Sequence, residues 1–138
     1  MPIRTLLLCL FSFIFLLSCG DGNNQLKEEV IAIHDEVMPH MGRLQSLQKD
    51  LAEEADLLAL EDSVVNYDQI ALLRNTSMEL GLAYEGMFVW MRQFDPEQGE
   101  LTKEEYEAYL NEQKALVETV KEDINQALEK GEHLAGAN

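Results

Sequence analysis

Apolar side chains recur at steps of three and four residues along three long stretches of this chain, a spacing that turns one stripe of a helix toward a core. In the first stretch the stripe reads Leu26, Val30, Ile33, Val37, Met41, Leu44, Leu47, Leu51, Ala55 and Leu58. The second, Ile70, Leu73, Ser77, Leu80, Tyr84, Met87, Met91 and Phe94, keeps a heptad alternation broken in polarity only by Ser77. In the third, Tyr106, Leu110, Gln113, Val117, Val120, Ile124 and Ala127 or Leu128 share a face. No strand-like alternation competes, so the expected fold class is all-α. Helices over about 24–60, 67–94 and 103–131 would be joined by short connections near Asp62 to Tyr67 and Asp95 to Leu101. Short connections favour antiparallel neighbours, and the expected architecture is an up-down-up antiparallel three-helix bundle with coiled-coil-like packing.

Several residues punctuate this pattern. Pro39 lacks an N–H and its ring presses on the carbonyl of Asp35, so the first helix should kink or restart there. Gly81 and Gly86 interrupt the second helix at about 1 kcal/mol each relative to alanine, which close helix packing would explain. Phe94-Asp95-Pro96 ends that helix, because Pro96 disfavours helical geometry in Asp95. Thr102-Lys103-Glu104-Glu105 reads as a capping box that opens the third, and Gly131 as its terminator.

The bundle is preceded by a segment of another kind. Arg4 is followed by twelve apolar-region residues, Leu6 to Leu17, well short of the roughly 20 needed to span a bilayer. Leu16-Leu17-Ser18-Cys19 resembles the lipobox of bacterial lipoproteins, with cleavage between Ser18 and Cys19 and the Cys19 thiol accepting a diacylglyceryl group. The expected organisation is a cleaved lipoprotein signal peptide over 1–18, then lipidated Cys19 with a flexible tether over 19–25. A helical domain over 26–134 and a tail over 135–138 complete it.

Cys9 would leave with the leader, so the mature chain keeps only Cys19 and can form no internal disulfide. Losing Arg4 takes the formal charge from −16 to −17, because all 26 acidic residues lie beyond the cleavage point. Such a chain repels nucleic acid and anionic headgroups, so nucleic acid is excluded as a partner and the membrane is met through the acyl chains. Gly20 stands where many lipoproteins retained in the inner membrane carry aspartate. The expected location is therefore the cell envelope, lipid-anchored at the periplasmic face of the outer membrane.

Folding the segments back on one another gathers a soft, aromatic end: His34, Met38, His40, Met41, Met87, Trp90 and Met91, with Pro39, Tyr84, Phe88, Phe94, Tyr106 and Tyr109 beside them. The opposite end is aliphatic. Three readings of this cluster stay open. Methionine and aromatic rings pack well around a proline kink and can be core alone. The same side chains re-pack around varied ligands, which suits a groove for a hydrophobic partner or a second copy of the chain. His34, Met38, Met41, Met87 and Met91 would also suit copper as Cu(I), the only cofactor the residues suggest besides the lipid on Cys19. Acidic runs such as Lys121-Glu122-Asp123 read as solvated helix faces, and no nucleophile elbow, phosphate loop or zinc-helix motif occurs. No catalytic residue is expected, and the chain is read as a non-enzymatic interaction or structural module.

Two segments, His34-Asp35-Glu36-Val37-Met38-Pro39-His40-Met41-Gly42 and Met87-Phe88-Val89-Trp90-Met91-Arg92-Gln93-Phe94, resemble small helical lipoproteins of Bacteroidota. Some of those carry the label viral A-type inclusion protein. The resemblance covers most of the mature chain and implies lipoprotein character, a helical fold and an envelope setting. It brings no catalytic role and no ligand with it.

Overall fold

The computed structural model describes residues 22–136, and within them every regular element is helical. The leader over 1–18, Ser18, Cys19 and residues 20–21 lie outside that span, as do residues 137–138. Helix α1 runs over Gly22–Val37 and α2 over Met41–Asp62, joined by a 3-10 turn at Met38–His40. Helix α3 spans Tyr67–Gln93 and α4 spans Lys103–Gly136. No helix among these residues is long and apolar enough to cross a membrane.

The 3-10 turn is the local answer to Pro39. Without an N–H, proline cannot continue the i to i−4 ladder, and the tighter turn lets the Met41 amide bond to the Met38 carbonyl instead. Backbone angles stay helical on both sides, so the apolar stripe passes from Val37 to Met41 without losing its face.

Three helical segments, α1 with α2, α3 and α4, pack against one another around a core of Val30, Val37, Leu44, Leu47, Leu51, Leu73, Leu80, Met87, Val117 and Ile124. Each fully buried aliphatic side chain contributes roughly 1.5–3 kcal/mol. Polar pairings show which faces meet. Ser77 donates to the Gln48 carbonyl at 2.8 Å, and Arg74 reaches Asp56 at 3.0 Å. Asn23 donates to the Lys103 carbonyl at 2.9 Å, while Lys114 meets Glu29 at 2.8 Å and Lys121 meets Glu36 at 2.7 Å. Arg43 reaches Glu132 at 3.2 Å. These ion pairs are solvated, so they choose partners and register more than they add stability.

Four expectations from the sequence are corrected. The stretch read as tether is already helical from Gly22, because Asn23 is buried and its amide is used at the start of α4. Gly131 does not end α4. A Cβ there would lie 3.1 Å from Leu80 Cδ1 and 3.4 Å from Leu47 Cδ1, so the glycine admits two leucines. The helix continues to Gly136, into the stretch read as a tail. Gly86 meets open space, unlike Gly81, whose Cβ would fall 2.5 Å from the Gln48 amide nitrogen.

The fourth correction concerns the heptads of α3. The buried row of α3 runs through Ile70, Leu73, Ser77, Leu80, Ala83, Met87 and Trp90, a spacing slightly tighter than the heptad. Ile70 and Ser77 are buried as expected, but by the next repeats Ala83 and Trp90 have rotated inward in place of Tyr84 and Met91. Thr76 and Ser77 are both buried where the two rows cross over.

The capping box forms as expected. The Glu105 amide donates to Thr102 Oγ1 at 3.2 Å, and the Thr102 amide and hydroxyl both donate to the Glu105 carboxylate at 2.9 Å. These donors, the backbone amide of Thr102 foremost, hold the Glu105 carboxyl below the ordinary range. Its folded pKa is depressed, so its contribution is full above the unfolded value and is lost as pH falls through the folded one. Thr102→Ala should cost about 1 kcal/mol at neutral pH. That difference from wild type should shrink in acid, which urea unfolding at neutral and acidic pH measures.

Candidate functional site

An aromatic ladder crosses one end of the bundle. Trp90 and Phe94, four residues apart on and just after α3, stack with centroids 4.9 Å apart. On one side Trp90 meets His34 of α1 at 5.8 Å; on the other Phe94 stacks on Tyr109 of α4 at 6.5 Å. Tyr106 follows at 6.2 Å from Tyr109. Helical spacing accounts for the ladder, since residues three or four apart share a face.

Two tyrosines also hold the connection between α3 and α4. The Tyr109 hydroxyl accepts from the Asp95 amide at 2.7 Å, and the Tyr106 hydroxyl donates to the Pro96 carbonyl at 2.5 Å. Backbone groups that proline and the end of α3 leave open are satisfied in this way. Burial pushes the Tyr106 phenol above its usual range, with Glu97, Tyr109 and Asp95 adding to the effect.

Beside the ladder, Ile31, His34, Asp35, Trp90, Met91 and Phe94 line a pocket of about 270 Å³. Two of its lining residues carry buried polar atoms. His34 Nδ1 lies 2.9 Å from Asp35 Oδ1, while His34 Nε2 and Trp90 Nε1 are both buried without a partner. The tautomer that donates Nδ1–H to Asp35 leaves Nε2 as an acceptor, and the indole nitrogen is a donor only. A buried donor and a buried acceptor left open cost roughly 1–3 kcal/mol each. The lining is mainly apolar and can seat an apolar group, while the two open nitrogens lie beneath its surface.

The residues expected to gather here divide. His34, Trp90 and Met91 line the pocket, and Met91 is 39% exposed. Met87 is fully buried and Met41 nearly so, both within the core. Met38 is half-buried against that core, and His40 is exposed on the 3-10 turn. Only His34 and Met91 of the five soft-metal candidates share this lining. Among the described residues no group of three or more histidine, cysteine or carboxylate side chains could hold a metal ion.

Sequence reasoning missed Asp35 as the residue that orients His34, although its adjacency was a signal. It also missed two wider grooves between α3 and α4. One, of about 470 Å³, is lined by Leu82, Gly86, Val120 and Lys130; the other, of about 410 Å³, by Leu72, Thr76, His133 and Leu134. Leu72 and Leu82 stand off the apolar stripe of α3, the signal that pointed to them. The Lys130–Glu79 ion pair at 2.5 Å joins the two walls. No protein-family model, curated protein or solved structure matches this chain.

Proposed function

We propose that this chain is a non-enzymatic lipoprotein of the bacterial envelope, lipidated on Cys19 after cleavage of the leader, whose helical bundle docks an apolar element of a protein partner. The observation that carries the reading is the pocket of Ile31, His34, Trp90, Met91 and Phe94, with its two open polar atoms. A partner side chain with an apolar body fits this lining, and a polar tip would reach the two buried nitrogens once the rings part. The up-down-up arrangement belongs to the same reading. It is supported by the pairs Asn23–Lys103, Glu29–Lys114 and Glu36–Lys121, which advance together along α1 and α4. The pairs Gln48–Ser77 and Asp56–Arg74 advance oppositely along α2 and α3. Entry of the lipidated segment ahead of α1 would set the aromatic end nearest the membrane, at the periplasmic face of the outer membrane. Resemblance to small lipoproteins of Bacteroidota agrees with that setting.

The test uses the full chain in cells, with a photo-crosslinking residue at Met91 and, separately, at exposed Glu53. Discrete partner adducts from Met91 that vanish when Ile31→Trp fills the pocket are the expected result. Equal adducts from both positions, or none from Met91, would sink the docking reading. Labelled palmitate should enter the wild type and not Cys19→Ser.

Copper capture is the second reading, and one observation favours it: Asp35 engages His34 Nδ1 and leaves Nε2 without a partner, in a residue that lines the same pocket as Met91. Carboxylate-oriented imidazole is the usual arrangement of a metal-binding histidine. Cu(I) titration of wild type against His34→Ala and Met91→Leu separates the readings, since retention unaffected by either change removes copper.

A further inference from the structure

About 35 Å along α3 from Trp90, at the helical rise of 1.5 Å per residue, lies a second surface of a different kind. Leu57, Leu60, Val64, Val65 and Tyr67 are 63–85% exposed at the connection between α2 and α3. Single exposed apolar residues are ordinary, but five large ones within eleven residues of one tip make a patch.

The tip is built rather than loose. Asp62 Oδ1 accepts from the amides of Val64 and Val65 at 3.0 Å, and the Asn66 amide donates to the Asp62 carbonyl at 3.0 Å. Asn66 Nδ2 donates to the Leu58 carbonyl at 3.2 Å. Turn backbones normally favour glycine, asparagine, aspartate and serine. Here Asp62 and Asn66 satisfy the backbone, and two adjacent valines are held outward. Beside them Ala59, Ser63, Tyr67, Ile70 and Arg74 line a recess of about 190 Å³, enough for one apolar side chain.

Charge selects among the possible occupants. The patch is ringed by Asp56, Glu61, Asp62 and Asp68, and Arg74, the cation beside the recess, is engaged by Asp56 at 3.0 Å. Anionic lipid is repelled by such a ring, and a second copy would oppose it with its own. We propose that the α2–α3 tip is a docking surface for a protein whose own apolar patch is ringed by lysine and arginine, with one apolar side chain entering the recess. Charge complementarity would then set the encounter rate and orientation, and the apolar centre the lifetime.

The probe is a fluorescent amphipathic helical peptide of leucine and lysine, with its leucine–glutamate counterpart as control. Each is titrated into the full chain in detergent and into Leu60→Ser/Val64→Ser/Val65→Ser, which removes apolar surface and keeps every charge. The lysine peptide should bind the wild type and bind the triple variant about tenfold more weakly, the equivalent of 1.4 kcal/mol. Leu116→Ser, at an exposed position of α4 away from the tip, should leave binding unchanged. The glutamate peptide should not bind. Circular dichroism confirms that the exposed substitutions leave the helices intact. Equal binding by wild type and triple variant would reduce the effect to general attraction and overturn the proposal. Sedimentation of the wild type as a dimer that the triple variant dissolves would also overturn it, as would wild-type binding to phosphatidylglycerol vesicles in preference to the peptide.

Discussion

Trp90→Ala is expected to lower the unfolding free energy by about 3–5 kcal/mol, a large share of the roughly 5–15 kcal/mol that holds a domain of this kind folded. Trp90 is only 5% exposed, and it links His34 to Phe94 in the ladder that joins α1, α3 and α4. Removing the indole leaves a cavity at the meeting of three helices, which cannot collapse without moving α1. Trp90→Phe should cost much less, because the ring stack survives and the unpartnered Nε1–H disappears with the indole. Urea unfolding of the two variants measures the contrast. If both lose the same stability, the phenyl ring restores nothing, and the loss belongs to what the indole alone supplies rather than to the ring stack.

The second large effect sits where α4 was expected to end. Gly131→Leu gains helix propensity yet should destabilise by about 1–3 kcal/mol, since the new side chain enters space held by Leu80 and Leu47. Leu80→Ala alone should cost about 2–5 kcal/mol, because Leu80 is fully buried. Together the two changes exchange a small and a large residue across one contact. The double variant should be more stable than the sum of the single losses requires, by about 1 kcal/mol or more. Strict additivity would mean that Gly131 is not in contact with Leu80.

Features set by local chemistry are legible in the order of residues alone. Thr102 and Glu105 lie within one turn, and Pro39 acts on the carbonyl four residues earlier, so both outcomes follow from near neighbours. The stripe from Val30 to Ala55 is equally legible, because the break at Pro39 preserves helical angles and hence phase. What depends on distant partners is not. Gly131 looks like a terminator until Leu80 and Leu47 arrive beside it, and Asn23 looks like linker until the Lys103 carbonyl meets it.

Met91 departs from its expected place for a subtler reason. The buried row of α3 closes up from Ile70 and Ser77 to Ala83 and Trp90, so by its C-terminal end the helix has rotated to turn Trp90 inward and leave Met91 at the rim of the pocket. That rotation separates Met91 from Met87 and takes the soft-metal cluster apart. It also brings the indole against His34, which makes the pocket. The exposed valines of the tip lie beyond periodicity altogether, because a stripe identifies what a helix buries and not what a connection leaves uncovered.

The 3-10 turn at Met38–His40 has a further consequence for how the molecule opens. It lacks the Pro39 amide as a donor, and α1 ahead of it buries only Asn23, Val30 and Val37. Helical cooperativity is weakest where the ladder is interrupted, so α1 is expected to open as a unit separate from the remainder. Amides of α1 would exchange with solvent at a lower free energy than those of α2, α3 and α4. Each such excursion carries Ile31 and His34 away from Trp90, so the pocket is a transient as well as a static feature, with a lifetime governed by the docking of a single helix.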